Sequence, residues 1–170
     1  FIKSRENAHA KNEDGNDENK YKINLNSNPI YYPGPCAEFL SGEEGCCGTI
    51  ERIINFTDDQ LENSHSYIQY VFPLQVPSEY NLKAPVLTDQ EIEWIKSESG
   101  EKARINLQKM FARMLNFYGL QYYTCPEGTK IGKSNSFDER SRVWLIPNNH
   151  NYKRITRILK CLTICGLKSE

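Results

Sequence analysis

The pattern of apolar and polar residues predicts a mostly helical chain. Over residues 101–118 the apolar side chains collect on one side of a helical wheel and polar or charged ones on the other, with Ile105 as the outlier. We therefore predict a central core helix here, with Gly119 directly after its end. A second amphipathic pattern, over residues 151–165, predicts a last helix. Its inward residues are predicted to be Ile155, Ile158, Leu159 and Leu162.

Two further helix starts are marked by capping boxes. Thr57 precedes Gln60 by three residues, and Thr88 precedes Glu91 in the same way, so a helix should begin directly after each threonine. The first of these helices is predicted to run as one piece until Pro73 stops it. Its apolar stripe is Leu61, His65, Ile68 and Phe72. A shorter helix is predicted over residues 49–55.

The region between the last two helices has a different character. Residues 121–131 predict a short hairpin around Pro126–Gly128, and residues 143–147 predict a buried extended or turn segment. Residues 128–134 look like a phosphate-binding loop, but only three residues separate the two glycines and a P-loop needs four. No helical pattern opens after Ser134, so we predict a plain polar loop.

Length and composition agree with one soluble domain. Residues 1–20 are almost entirely polar, so we predict a disordered lead-in followed by a domain over residues 21–170. The fold class predicted is an all-α, single-domain bundle of about four to six helices with a short β-hairpin as a minor element. A net charge of -1 removes the global basic field needed for non-specific nucleic-acid binding. No apolar run approaches the roughly 20 residues of a transmembrane helix, so we expect no transmembrane segment in this chain.

The six cysteines are irregularly spaced, which favours reduced thiols over a disulfide framework. A structural zinc site built from Cys46, Cys47, Cys161 and Cys165 is an alternative, although the short zinc-knuckle spacings are absent. No nucleophile, base and orienting group can be assembled from the sequence. We therefore predict a protein that is not an enzyme and that has no cofactor.

The last helix concentrates positive charge along one ridge formed by Lys153, Arg157 and Lys160, with Arg154 beside it. Residues 150–170 hold five cations and one anion, a local charge of +4. Such a ridge is typical of a solvated helix face, but it also suits a carboxylate, a phosphate or an acidic protein partner. A lone histidine on an apolar stripe is typically a core residue rather than a ligand, and we interpret His65 in this way. His150 lies just before the last helix, where we expect it to take part in capping that helix.

Four runs of mixed polar and aromatic residues resemble the conserved region of the opioid growth factor receptor family. They are residues 65–74, 83–85, 114–119 and 150–162, within a resemblance that spans about residues 22–167. The resemblance implies a non-enzymatic receptor domain that binds an opioid peptide such as Met-enkephalin in growth regulation. It also implies an intracellular localisation, in the nucleus, at the nuclear envelope or in the cytoplasm, with membrane association. The alternative is a helical module that binds a protein or RNA through the basic face of the last helix.

A site for such a peptide needs apolar or aromatic pockets, an acid for the terminal ammonium and a cation for the terminal carboxylate. Tyr67, Tyr70 and Trp94 are candidates for the pockets, and Glu62 or Asp59 for the ammonium. Arg154 or Arg157 would take the carboxylate. The candidate ligand-binding residues are His65, Tyr67, Tyr70, Trp94, Glu62, His150, Arg154 and Arg157.

Overall fold

The computed structural model describes residues 31–167, so the predicted disordered lead-in of residues 1–20 lies outside the described part of the chain. The described helices are α1 Pro35–Leu40, α2 Ile50–Ile54, α3 Asp58–Asn63, α4 Tyr67–Val71, α5 Asp89–Lys96, α6 Glu101–Phe117, α7 Phe137–Trp144 and α8 Asn151–Ile164. A 3₁₀ turn, Glu98–Gly100, precedes α6, and a hairpin of β1 Leu120–Cys125 and β2 Gly128–Lys133 lies between α6 and α7. The chain is mostly helical, as predicted. The hairpin makes the all-α assignment inexact, and the described part holds eight helices rather than four to six.

Helix α6 lies at the centre of the hydrophobic core, as the helical wheel predicted. It packs against α1, α2 and α5. Its buried apolar residues are Ala103, Leu107, Met110, Met114, Leu115 and Phe117. Fully burying a large apolar side chain contributes about 1.5 to 3 kcal/mol, so this face supplies much of the hydrophobic stabilisation. The buried Asn106 amide donates to the Leu40 carbonyl at 2.8 Å and so ties α6 to α1.

Both predicted capping boxes are present. In α3 the Thr57 hydroxyl accepts from the Gln60 amide at 3.2 Å, and the Gln60 side chain accepts from the Thr57 amide at 2.9 Å. Thr88 and Glu91 form the same reciprocal pair of hydrogen bonds at the start of α5. Since each box satisfies amides that the first turn leaves unpaired, it fixes the residue at which its helix begins.

The prediction of one continuous helix from Thr57 to Pro73 is wrong. Ser64, His65 and Ser66 interrupt it and divide it into α3 and α4. The carbonyls at the end of α3 find their donors on α8, because the Arg154 guanidinium reaches them. A side chain from another helix thus replaces the amides of the next turn, which the local sequence does not reveal.

The hairpin agrees with its prediction. Its two strands pair antiparallel from Leu120 opposite Lys133 to Cys125 opposite Gly128, and Pro126 and Glu127 form the loop. The predictions for the part of the chain after the hairpin are only partly right. Helix α7 begins at Phe137, where no helix was expected, and takes in the first two residues of the segment predicted over 143–147. The rest of that segment is a turn, as one of the two alternatives had it, but it is not buried, since Leu145 is 55% and Ile146 48% exposed.

Helix α7 forms because its side chains pair with the end of α6. The Arg140 Nε donates to the Phe117 carbonyl at 2.8 Å, and the Trp144 Nε1 donates to the Tyr118 carbonyl at 3.1 Å. Both carbonyls lie at the α6 terminus, where no intrahelical amide is available. Gly119 turns the chain there with φ of 75°, and a Cβ at that position would lie 2.7 Å from the Phe137 Cα. Only glycine allows this close approach without strain.

Helix α8 spans nearly the predicted range, but its buried face is rotated from the predicted one. Ile158 and Leu162 are buried as expected, whereas Leu159 is 54% exposed. Arg154 and Cys161 take the buried side instead. The buried face is rotated because Arg154 points inward to donate to the carbonyls at the end of α3. Hydrophobic periodicity does not predict this contact, since Arg154 is a charged residue.

All six cysteines lie within the described residues and are free thiols. Cys36, Cys161 and Cys165 are buried, whereas Cys46, Cys47 and Cys125 lie nearer the surface. Among residues 31–167 no three His, Cys, Asp or Glu side chains come together in a way that could hold a metal ion, so the alternative zinc site has no support there. No helix in the same range is long and apolar enough to cross a membrane.

Candidate functional site: a groove along helix α8

A groove of about 730 Å³ lies between α8 and the irregular segment of residues 74–80. We call it the α8 groove. Its lining residues are His65, Ile68, Gln69, Leu74, Val76, Pro77, Ser78, Glu79, Tyr80, Asn148, Asn149, His150, Tyr152, Lys153, Arg154, Thr156, Arg157 and Lys160. The volume falls within the range of about 300 to 1,000 Å³ that is usual for ligand pockets.

Arg154 is a structural element of the groove. Only 5% of it is exposed. Its guanidinium donates to the carbonyls of Leu61 at 2.8 Å, Glu62 at 3.1 Å and Ser64 at 3.0 Å. The planar, always charged guanidinium suits several fixed acceptors at once. Its hydrogen bonds therefore hold the end of α3 and position His65 beside α8.

A polar cluster around the Glu62 carboxylate lies next to Arg154. The Asn151 side chain donates to Glu62 Oε2 at 3.1 Å, and Arg154 lies 3.9 Å from the same oxygen. The other carboxylate oxygen is 3.3 Å from His150 Nε2. Because these neighbours already occupy both oxygens, Glu62 is a member of the structural network rather than an unpaired acid.

Two histidines meet at this end of the groove. The rings of His65 and His150 pack edge to face with centroids 5.5 Å apart, and His65 Nδ1 lies 3.3 Å from the Arg154 guanidinium. His65 is exposed, so its interpretation as a core histidine is wrong. Desolvation lowers the pKa of His150, as does the charge of Arg154, while Glu62 acts in the opposite direction. His150 is therefore held toward its neutral form.

His150 is the N-cap residue of α8, but its side chain makes no cap hydrogen bond. That role belongs to Asn149, whose Oδ1 accepts from the Asn151 amide at 2.8 Å. The cap chemistry expected from residues 149–151 is present, and the residue that supplies it is Asn149. The His150 ring is left to contact Glu62 and His65 instead.

The α8 side of the groove carries the basic ridge. Arg157 is half-buried and donates to the Phe72 carbonyl at 3.0 Å. Lys153 and Lys160 are exposed on either side of it. Of the residues that line the groove, Glu79 alone is acidic. The lining is thus electropositive, which suits an anionic group on a ligand.

The segment of residues 74–80 supplies apolar and aromatic surface. The Leu74 carbonyl accepts from the Leu87 amide at 3.0 Å, which holds the start of the segment, and within the segment the buried Ser78 hydroxyl accepts from the Tyr80 amide at 3.2 Å. Val76 and Tyr80 are more than half exposed. The Tyr80 ring and hydroxyl contact Lys153, whose Nζ lies 4.9 Å from the ring centroid.

The structure brings four of the eight predicted site residues to the α8 groove: His65, His150, Arg154 and Arg157. Glu62 lies directly behind them, paired as described above.

The three predicted aromatic residues lie elsewhere. Tyr67 is fully buried and its hydroxyl donates to the Met114 sulfur at 3.6 Å. The Tyr70 hydroxyl donates to the Lys83 carbonyl at 3.1 Å. Trp94 packs edge to face with Tyr32, with ring centroids 5.8 Å apart. In this conformation none of the three offers a surface to a ligand in the groove.

Sequence reasoning missed the residues that face α8 from the other side, chiefly Val76, Glu79 and Tyr80. A signal was present for Val76, since Pro73 and Pro77 bracket a short segment that cannot be helical and yet carries apolar side chains. Binding residues lie disproportionately often on loops, and contiguous exposed apolar patches mark interaction sites.

The fold and the groove together define a mostly helical domain with a basic surface groove along its last helix. The family model described as the opioid growth factor receptor conserved region matches residues 48–169. The chain belongs to the opioid growth factor receptor family.

Individual relatives agree with this assignment. The chain is 41% identical over 122 residues to an opioid growth factor receptor from Homo sapiens, an alignment that covers 70% of this chain and 17% of the relative. It is 40% identical over 122 residues to the receptor of that name from Mus musculus, covering 70% and 18%. Against opioid growth factor receptor-like protein 1 from Mus musculus the identity is 35% over 123 residues, covering 71% and 25%.

The match therefore spans a quarter or less of the length of these relatives. They are named as receptors and not as enzymes. No solved structure matches the chain.

Proposed function

We propose that this domain is the ligand-binding part of a non-enzymatic receptor and that the α8 groove takes a short opioid peptide such as Met-enkephalin. One observation carries the proposal: a single groove joins a basic ridge on α8 to an aromatic and apolar segment, residues 74–80. The names of the relatives, which are opioid growth factor receptors, support the class of ligand.

The anionic end of the peptide would lie on the basic ridge. Arg154 cannot supply this contact, because its donors are taken by backbone carbonyls. Arg157 is better placed, with Lys160 one turn further along the same side of α8. A carboxylate in this position would form charge-assisted hydrogen bonds, which are about twice as strong as neutral ones.

The remainder of the peptide would use the other side of the groove. Exposed Val76 and Tyr80 offer surface to the tyrosine, phenylalanine and methionine side chains of Met-enkephalin. Glu79 is the acid of the lining that is suited to the terminal ammonium, since Glu62 is already paired with Asn151 and His150. The charges of the groove and of the peptide are then complementary at both ends.

Calorimetry of the purified protein with Met-enkephalin tests the proposal. We expect binding to the unmodified protein, and a loss of about tenfold or more in affinity for Arg157→Gln and for Lys160→Gln, since tenfold corresponds to about 1.4 kcal/mol. Lys130→Gln is the matched control, because Lys130 is an exposed lysine on β2, away from the groove lining. It should leave the affinity unchanged.

Absence of binding heat at peptide concentrations up to about 1 mM would overturn the proposal, as would equal affinity in all three variants. A second function, docking of an acidic protein or RNA, is favoured by the exposure of Lys153 and Lys160. The salt dependence of the measured affinity distinguishes the two functions. Binding to a groove largely survives physiological salt, whereas attraction between exposed charges is strongly screened.

A further inference from the structure

Cys46 and Cys47 form the tip of a tight turn on the surface. The Gly45 amide donates to the Gly48 carbonyl at 3.1 Å, and the Gly48 amide donates to the Gly45 carbonyl at 3.2 Å. These reciprocal hydrogen bonds close a loop of only two residues. The two cysteine side chains lie on the same side of the turn, since their Sγ atoms are 3.2 Å apart.

The surroundings hold the turn in place. The Cys47 Sγ lies 3.1 Å from the Ser66 hydroxyl, in the loop that separates α3 from α4. Gly45 packs against Phe39, so closely that a Cβ there would lie 2.7 Å from a ring carbon. The Phe39 ring in turn packs edge to face on Tyr70, with centroids 5.7 Å apart. Cys46 is exposed to solvent, so the pair is accessible from outside.

Adjacent cysteines make an unusual disulfide. Across a trans peptide bond the two Cα atoms are about 3.8 Å apart, shorter than the roughly 4.4 Å at which ordinary disulfides begin. A disulfide here would be strained, and strained, exposed disulfides are the readily reduced ones. The pair should therefore be a dithiol under reducing conditions and close only when an oxidant is present.

We propose that Cys46 and Cys47 are a reversible two-electron redox site, oxidised by a low-molecular-weight disulfide such as glutathione disulfide. The Cys46 thiolate attacks the disulfide, forms a mixed disulfide and releases one glutathione thiolate. Cys47 then loses its proton to solvent and attacks the Cys46 sulfur, which forms the Cys46–Cys47 bond and releases the second glutathione. Two thiols are oxidised and one glutathione disulfide becomes two glutathione thiols.

The first attack should be slow at neutral pH. Partial desolvation raises the pKa of Cys46, although the residue is exposed, and the hydrogen bond with Cys47 raises it further. Because the thiolate is the nucleophile, a raised pKa lowers the reactive fraction. The ring closure that follows is favoured by proximity, since the second sulfur is already in contact with the first.

The other cysteines differ in ways that provide controls. Cys36, Cys161 and Cys165 are buried and are therefore protected from the reagent. Cys125 is partly exposed, and its thiol donates to the Gly128 carbonyl at 3.1 Å. It should react as a single thiol and stop at the mixed disulfide.

The test is to incubate the folded, reduced protein with glutathione disulfide, alkylate the remaining thiols and map the products by peptide mass spectrometry. In the unmodified protein we expect Cys46 and Cys47 to lose two hydrogens and to carry neither glutathione nor alkyl groups. Cys47→Ser should trap glutathione on Cys46, because the second thiol is missing. Cys125→Ser is the matched control and should still form the Cys46–Cys47 bond. Circular dichroism checks that each variant is folded.

Two results would overturn the proposal. One is accumulation of glutathione on Cys46 in the unmodified protein, which would show that the turn cannot close the ring. The other is full alkylation of both thiols after Cys125 has become glutathionylated, which would show that Cys46 is not accessible. If Cys47→Ser fails to fold, Cys46→Ser replaces it. The two-hydrogen loss should then disappear, and its persistence would overturn the proposal.

Discussion

Arg154 shows how one side chain can organise both the core and the groove. It is almost wholly buried, although the sequence pattern places it directly beside the basic ridge of α8. Its guanidinium satisfies three carbonyls from Leu61 to Ser64, stacks 5.7 Å from the Tyr67 ring and lies beside Glu62. A buried cation with these partners is a structural element, because every alternative would leave polar groups without hydrogen bonds.

Replacing Arg154 should therefore destabilise the whole domain. Arg154→Met keeps an unbranched side chain but removes the guanidinium, so the carbonyls of Leu61, Glu62 and Ser64 lose their donor. We expect a loss of about 3 to 5 kcal/mol in the free energy of unfolding, measured by urea denaturation. Lys153→Met, which removes an exposed charge one residue away, should leave the denaturation midpoint unchanged. Equal midpoints for the two variants would contradict the structural role of Arg154.

His150 should give stability a pH dependence of known sign. Partial desolvation and the charge of Arg154 lower its pKa in the folded state below the ordinary value of about 6.5. Between the two values the unfolded chain binds more protons, so stability is greatest above the ordinary pKa and falls as the pH drops through the folded pKa.

His150→Gln removes this titration and should flatten the loss of stability between about pH 7 and pH 5, the interval that contains the ordinary pKa. Thermal or urea unfolding at several pH values measures the slope, and NMR titration of the ring protons measures the pKa directly. A folded pKa above the ordinary value, or an unchanged slope in the variant, would refute the prediction.

At the scale of elements, Glu91 joins two helices that are far apart in sequence. Besides its capping box with Thr88, its Oε1 accepts from the Cys36 amide at 2.8 Å and from the Ala37 amide at 3.2 Å. These amides are among the unpaired donors at the start of α1, which has no side-chain cap of its own. One fully buried carboxylate therefore caps α5 and α1 together.

The two capping boxes offer a matched comparison. Glu91→Ala leaves the buried amides of Cys36 and Ala37 without a partner, so we expect a loss of about 3 kcal/mol or more in the free energy of unfolding. Gln60→Ala removes the corresponding residue of an exposed box that caps α3 alone, and we expect about 1 kcal/mol or less. Chemical denaturation of both variants gives the difference. Similar losses would mean that the Glu91 contacts with α1 contribute little.

At the scale of the whole molecule, the match to the family and the folded unit do not begin at the same residue. The family match starts at residue 48. Helix α1 lies before it, yet its residues Cys36, Ala37, Phe39 and Leu40 are buried in the core. This helix packs against α4, α5 and α6. The domain therefore needs a segment that the family match does not include.

Two fragments test this. The fragment 21–170 omits only residues 1–20, which carry few apolar side chains. Its denaturation midpoint should therefore equal that of the full chain. The fragment 48–170 omits α1 and exposes the surfaces that Phe39 and Leu40 cover. Since losing one such side chain costs about 2 to 5 kcal/mol and total stability is only about 5 to 15 kcal/mol, we expect no cooperative unfolding. A folded 48–170 fragment, judged by near-ultraviolet circular dichroism, would contradict this role for α1.

The sequence by itself determined the elements whose signals are local. Capping boxes at Thr57 and Thr88, the apolar face of α6 and the left-handed Gly119 all depend on residues within a few positions of one another, so they could be read directly. The hairpin around Pro126 and Glu127 belongs to the same class. Of the predicted site residues that line the groove, Arg157 was found in the same way, because the basic ridge of α8 is a local pattern.

Tertiary structure alone decided the features that depend on contacts between distant residues. The break between α3 and α4 follows from Arg154, about 90 residues further along the chain, and α7 forms where its side chains meet the carbonyls at the end of α6. The α8 groove exists because segment 74–80 lies beside α8. Unpaired backbone groups take whatever donors the fold brings to them, and no periodicity in the sequence records which donor that will be.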